Sequence, residues 1–136
     1  MTNSEIEDKF FEYQDEYMDL VEEGNIEKAL QKIKEFWDYL PEPKTIQDMS
    51  FLLLEDFFNI CIESKRFELV NKWISLMFIS DLERLDDGER EFIAGKLAYE
   101  QGNLEIAKEL FVISNIKCEG SLFEGKDVKK YRDLLK

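Results

Sequence analysis

Glu23-Gly24-Asn25-Ile26-Glu27-Lys28-Ala29 is the stretch that decides the fold, because it returns as Gln101-Gly102-Asn103-Leu104-Glu105-Ile106-Ala107. In both copies an apolar-striped segment runs into a Gly, an Asn follows, and a second striped segment begins with an Ala five residues after the Gly. A Gly ends a helix by taking the left-handed conformation, and an Asn is well suited to cap the next one. A weaker copy, Ser64-Lys65-Arg66-Phe67-Glu68-Leu69-Val70, lies between them. Gly24, Lys65 and Gly102 are 41 and 37 residues apart, a period that suits one pair of helices per repeat. Self-similarity of this kind marks a helical-repeat scaffold, and such scaffolds bind other proteins.

Outward from these turns, apolar residues recur at helical spacing. Before Gly24 they are Ile6, Phe10, Tyr13, Tyr17 and Leu20, and Ser4 with Glu7 reads as a capping box. After it come Ile26, Ala29, Leu30, Ile33, Phe36, Trp37 and Leu40, stopped by Pro41-Glu42-Pro43. Thr45 with Asp48 reads as the start of a third helix, and its Phe51, Leu52, Leu53, Leu54, Phe57, Phe58, Ile60, Cys61 and Ile62 cover nearly the whole circumference. A helix apolar all round is buried on several sides, so this one belongs at the centre. A fourth helix is expected from about Phe67 to Ile79, and a fifth, capped by Asp86 with Glu89, carries Phe92, Ile93, Leu97 and Tyr99. The sixth carries Leu104, Ala107, Leu110, Phe111 and Ile113, and a short seventh sets Val128, Tyr131 and Leu134 or Leu135 against the stack. An end repeat needs such a cap to cover its open apolar face.

The pattern resembles the tetratricopeptide repeat, in which a Gly closes the first helix, an Ala follows, and a large apolar residue comes four later. Gly24, Ala29 and Ile33 match, as do Gly102, Ala107 and Phe111, with Gly95 and Ala98 at the small positions of the preceding helix. The middle copy departs with Lys65, Val70 and Ile74. Val70 in place of Ala implies a wider middle pair, and the periods exceed the usual ~34 residues. The expected fold is all-α: a single helical-repeat domain over residues 1–136, with antiparallel helix pairs at about 4–40, 45–80 and 86–117 in a tetratricopeptide-like right-handed stack and a capping helix at about 127–136.

Composition narrows function. The chain has 136 residues and a formal net charge of −13. That sign disfavours nucleic acid and anionic membrane surfaces, which need Lys and Arg, and favours a basic protein partner. Hydrophobic residues at 44% exclude a disordered chain, and 6 Gly with 2 Pro leave little material for strands and tight turns. The opening residues carry no basic region or apolar run, so no targeting segment is read there, and no stretch is long enough to span a membrane. Cys61 reads as a core thiol. The location expected is a reducing cytoplasm. There is no His, no Gly-rich phosphate loop and no nucleophile elbow, so no catalytic residue, cofactor or metal ligand is assigned. Asp86-Asp87-Gly88-Glu89 lacks the alternating oxygen ligands of a calcium loop and reads as helix capping.

The tail reads Lys117-Cys118-Glu119-Gly120-Ser121-Leu122-Phe123-Glu124-Gly125-Lys126-Asp127, then Tyr131. With the acidic repeats before it, it resembles a family of small bacterial immunity proteins that neutralise toxin domains of contact-dependent growth inhibition and related polymorphic toxin systems. The resemblance is best over about residues 86–136, although Val128 stands where the family has Pro and one residue is added before Tyr131. It implies a cytoplasmic inhibitor that binds one cognate toxin, basic and in many cases a nuclease, without catalysis. In the tail, Gly120 and Gly125 are expected to shape a loop, Phe123 to staple it and Asp127 to cap the last helix. The other reading is a tetratricopeptide-type adaptor or secretion chaperone for extended peptides.

Two surfaces compete for the partner. Residues 1–23 hold nine acids against the single base Lys9. Within them Glu5, Glu12 and Asp19, and likewise Asp8, Asp15 and Glu22, recur every seven residues and share an outer helix face. Like charges this close repel by a few tenths of a kcal/mol per pair, which solubility alone does not demand. The alternative is the groove, which the tetratricopeptide resemblance lines with Gln14, Met18, Glu55, Asn59, Phe92, Lys96 and Tyr99.

Overall fold

The computed structural model describes residues 2–81 and 86–136, which contain helices and no strand. In chain order the α-helices are α1 (Asn3–Glu22), α2 (Ile26–Tyr39), α3 (Ser50–Ser64), α4 (Ile74–Ile79), α5 (Glu89–Glu100), α6 (Leu104–Cys118) and α7 (Lys129–Asp133). Short 3-10 turns lie at Lys44–Ile46, Phe67–Leu69 and Ser121–Phe123.

All three repeat turns are built alike. Gly24, Lys65 and Gly102 take left-handed conformations, with φ of 79°, 58° and 85°. The amide after each reaches back to the carbonyl five residues earlier: Asn25 to Leu20 at 2.8 Å, Arg66 to Cys61 at 2.8 Å and Asn103 to Ala98 at 2.9 Å. These bonds satisfy carbonyls that a helix end leaves without partners. Lys65 therefore occupies a glycine position. A side chain there carries a steric penalty of about 1 kcal/mol that Gly avoids. Lys65→Gly is expected to stabilise the protein by about that amount, read as a higher urea midpoint at unchanged slope. An unchanged or lower midpoint would contradict a left-handed Lys65 in solution.

The packing follows the stripes. α1 lies against α2 and α5 against α6, each pair joined by a tight turn, while α3 contacts both α2 and α5. Phe51, Leu53, Leu54, Phe57, Phe58, Ile60 and Cys61 of α3 are all buried, as its all-round apolar sequence predicts. Small residues permit the closest approach. A Cβ on Gly95 would lie 2.5 Å from the Phe111 ring, so α5 and α6 meet at a separation only Gly allows.

Several expected boundaries are corrected. α1 starts one residue earlier than expected, because Thr2, not Ser4, caps it. Glu5 N donates to Thr2 Oγ1 at 3.2 Å and Thr2 N to Glu5 Oε2 at 3.0 Å, the reciprocal pair of a capping box. α3 starts at Ser50 rather than Thr45, since 44–46 form a 3-10 turn and Ser50 Oγ donates back to Thr45 and Gln47 carbonyls. Lys44 Nζ meanwhile donates to the Asp38 and Leu40 carbonyls at the end of α2. The fourth helix is α-helical only from Ile74. Its expected first half winds through tighter bonds, Val70 to Phe67 and Trp73 to Val70. Val70, Asn71, Trp73 and Ile74 have weak helix propensity, and buried Val70 is anchored in the core. Gly88, not Asp86, is the N-cap of α5; Asp87 before it accepts from Glu89 N at 3.1 Å, while Asp86 pairs with Lys117 at 3.1 Å. Leu104 and Ile113 are exposed rather than core, because α6 buries Ala107, Phe111 and Ser114.

The tail forms a separate aromatic cluster. Phe92, Phe111, Phe123 and Tyr131 are buried together, with ring centres 5.1 Å apart for Phe92–Phe123 and 5.3 Å for Phe111–Tyr131. Gly120 and Gly125 have positive φ and shape the loop, but Asp127 is exposed and makes no cap at α7. The loop is held instead by Arg132, whose Nη1 donates to the Phe123 and Gly125 carbonyls at 2.8 and 2.9 Å.

Candidate functional site

The first helices of successive pairs, α1, α3 and α5, are linked by polar contacts. Tyr17 is fully buried, and its hydroxyl donates to Asp56, which also accepts from Gln14 Nε2 at 2.9 Å. Burial, with the Asp56 carboxylate beside it, pushes the Tyr17 pKa far above the ordinary tyrosine value. Lys96 Nζ donates to Asn59 Oδ1 at 2.9 Å and lies 4.9 Å from the Phe92 ring centre. Burial holds the Lys96 pKa below the usual lysine value, against the pull of Glu55, Glu63 and Glu89. Glu100 then accepts from Tyr131 at 2.9 Å and pairs with Lys130 at 2.5 Å.

These contacts change the expected groove. Gln14, Asn59 and Lys96 are committed to neighbouring helices, and Glu55 is half-buried. Phe92 is only 8% exposed, inside the tail cluster, and half-buried Tyr99 packs edge-on against Tyr131 at 5.2 Å. Both hold positions expected to line the groove. The tail supplies Phe123 and Tyr131 to cover them, because an end repeat must bury its open face. What stays open is a cleft of about 390 Å³ lined by charged and polar residues, Asn59, Glu63, Lys65, Lys96, Glu100, Asp127 and Lys130, together with apolar Ile62, Val128 and Tyr131. Of the groove residues only Met18 is an exposed large apolar side chain, at 43%.

The outer face of α1 is different. Its inward stripe of Ile6, Phe10 and Tyr17 is buried, and Glu5, Asp8, Glu12, Asp15, Asp19 and Glu22 are all exposed on the opposite side. Glu5 serves the capping box and Glu12 pairs with Lys9 at 3.3 Å. The carboxylates of Asp8, Asp15, Asp19 and Glu22 make no ion pair with any described residue. Beside this stripe stand Phe11, 47% exposed, and Met18. They are seven residues apart and therefore share a side of the helix. Phe11 is not among the residues that the sequence pattern assigns to either surface. Its phase was the available signal: Phe11 and Met18 fall outside the run Ile6, Phe10, Tyr13, Tyr17, Leu20.

Among the described residues no group of three or more His, Cys, Asp or Glu is arranged to hold a metal ion, and no helix is long and apolar enough to cross a membrane. Burial raises the Cys61 thiol to about 12, with Glu68 adding to the shift, so it stays protonated and unreactive at neutral pH. The void between Leu30, Ile33, Trp37, Leu53, Leu54, Phe57 and Trp73 is about 30 Å³, room for little more than one water. The outer face of α1 sets exposed Phe11 and Met18 beside carboxylates that pair with no described residue. No family model, curated protein or solved structure matches the chain.

Proposed function

We propose that this chain is an immunity protein that binds a cognate bacterial toxin domain and blocks it by direct contact, using the outer face of α1. The observation that carries the reading is the grouping on one helix side of four carboxylates that pair with no described residue, Asp8, Asp15, Asp19 and Glu22, with exposed Phe11 and Met18. Carboxylates without local partners attract a basic surface and occupy the positions its phosphate ligands would take. Apolar side chains ringed by polar groups supply the desolvated contacts that slow dissociation. The tail resemblance points to the same class of protein, and a nuclease is the class of toxin whose basic cleft this face fits best. Binding suffices for neutralisation, so no catalytic role is assigned to any residue.

The experiment is co-expression in bacteria with the variable C-terminal domain of a large toxin encoded by a neighbouring gene. Protection together with a purified complex supports the reading. Neither protection nor a complex overturns it. An adaptor for extended peptides has less support, since the groove's expected aromatic anchors are covered by the tail.

A further inference from the structure

We propose that a cleft between α2 and the turns leading into α4 is a second binding site, which takes an acidic protein segment carrying one apolar anchor side chain. The site is separate from the outer face of α1, and its test needs no toxin. Lys28, Gln31 and Lys34 follow one another at three-residue steps along one side of α2. Leu69, Lys72 and Trp73 line the same cleft from the tightly wound stretch that replaces the first half of the expected fourth helix. The cleft measures about 400 Å³, within the range of sites that hold a small ligand or a few side chains. Its floor is apolar. Leu30 and Phe57 are each 8% exposed, and Trp73 is half-buried. These three also line the small void beside Trp37, so the floor continues toward the core where an anchor side chain would enter.

Charge decides what fits. Lys28, Lys34 and Lys72 are exposed and make no ion pair or hydrogen bond with any described residue. Lys72 lies over the Trp73 ring, 5.9 Å from its centre. Among the described residues Glu27 is the one acid that lines the cleft, and it is paired with Arg66. Glu35 and Asp38, the other acids of α2, do not line it, and Glu35 faces Lys32 at 3.9 Å. Glu68, on the adjoining 3-10 turn, does not line it either. Three positive charges without partners therefore stand around an apolar floor, on a chain of −13. Elsewhere Lys9, Lys32, Lys117 and Lys130 are each matched by a carboxylate of the chain itself. Ammonium groups around an apolar floor complement carboxylates that flank an apolar side chain. Nucleic acid has the same sign of charge, but its long row of phosphates is repelled by the acidic surfaces on either side. A short acidic segment meets mainly the charges within a Debye length, about 8 Å at physiological salt.

The test is titration of the full chain with the acetylated, amidated pentapeptide Asp-Glu-Phe-Glu-Asp, read by tryptophan emission. The chain has 2 Trp, Trp37 and Trp73, and both border the void at the floor of the cleft. Emission should change with a dissociation constant on the order of 100 μM, and binding should weaken as salt is added. The same peptide with Asn and Gln in place of its acids, or with Ala in place of its Phe, should bind about 10-fold more weakly or worse. Lys28→Gln/Lys34→Gln/Lys72→Gln should weaken binding of the acidic peptide to the same degree, with unchanged helical circular dichroism, and Lys34→Gln alone should show part of the loss. No emission change at millimolar peptide, equal binding of either control peptide, or unaltered affinity in the lysine variants would overturn the proposal. So would tighter binding of an oligothymidylate, which gives the cleft to nucleic acid, or an emission shift on concentrating the chain alone, which gives it to a second copy. None of these results bears on α1 as the toxin-binding face.

Discussion

Phe111→Ala is expected to lower the unfolding free energy by about 3–5 kcal/mol, the range for emptying a buried aromatic site. Phe111 is fully buried and its ring meets Phe92, Phe123 and Tyr131. It also receives the bare Cα of Gly95. The loss therefore falls on the α5–α6 contact and on the tail together. Gly95→Ala forces a methyl into the same ring and should cost about 1–3 kcal/mol. The double variant is informative. With the ring gone the methyl has room, so Gly95→Ala with Phe111→Ala should cost less than the sum of the two. Urea unfolding of the four proteins measures this, and strict additivity would contradict the ring-on-glycine contact.

The second large effect is expected in binding rather than stability. Phe11→Ala with Met18→Ala should speed dissociation from the toxin by about 10–100-fold, as loss of central apolar contacts does. Both residues are nearly half exposed in the free chain, at 47% and 43%, so stability should change by no more than about 1 kcal/mol. Surface plasmon resonance against the toxin domain reads the rate directly. An unchanged dissociation rate would remove these two residues from the interface.

The fold was legible wherever periodicity and turn chemistry agreed. Gly24 and Gly102 announced their turns, and Lys65 could be placed at the third only because the flanking stripes kept register. Helix starts were less legible. Thr2 and Ser4 both stand three residues before a Glu, and Thr45 before an Asp, so the pattern alone does not choose among them. The broken fourth helix was hidden because Val70, Trp73 and Ile74 keep apolar spacing while winding more tightly than an α-helix. The groove failed for a tertiary reason. Phe92 and Tyr99 hold first-helix positions that a mid-stack repeat would expose, but here they are last in the stack and the tail covers them. The acidic face of α1 was visible from its seven-residue recurrence, whereas an apolar residue outside the stripe, such as Phe11, shows as a surface feature only through its 47% exposure.

The measurement that bears most directly on α1 as the contact surface is the association rate of the toxin domain with Glu12→Lys/Asp15→Lys/Asp19→Lys, taken across ionic strength. These residues are exposed, and among the described residues their only ion pair is the 3.3 Å contact of Glu12 with Lys9. The variant should therefore fold normally. At low salt its association should be slower than wild type by about 10-fold or more, and the steep fall of the wild-type rate with added salt should flatten. Equal rates and equal salt slopes for the two proteins would contradict docking on this face.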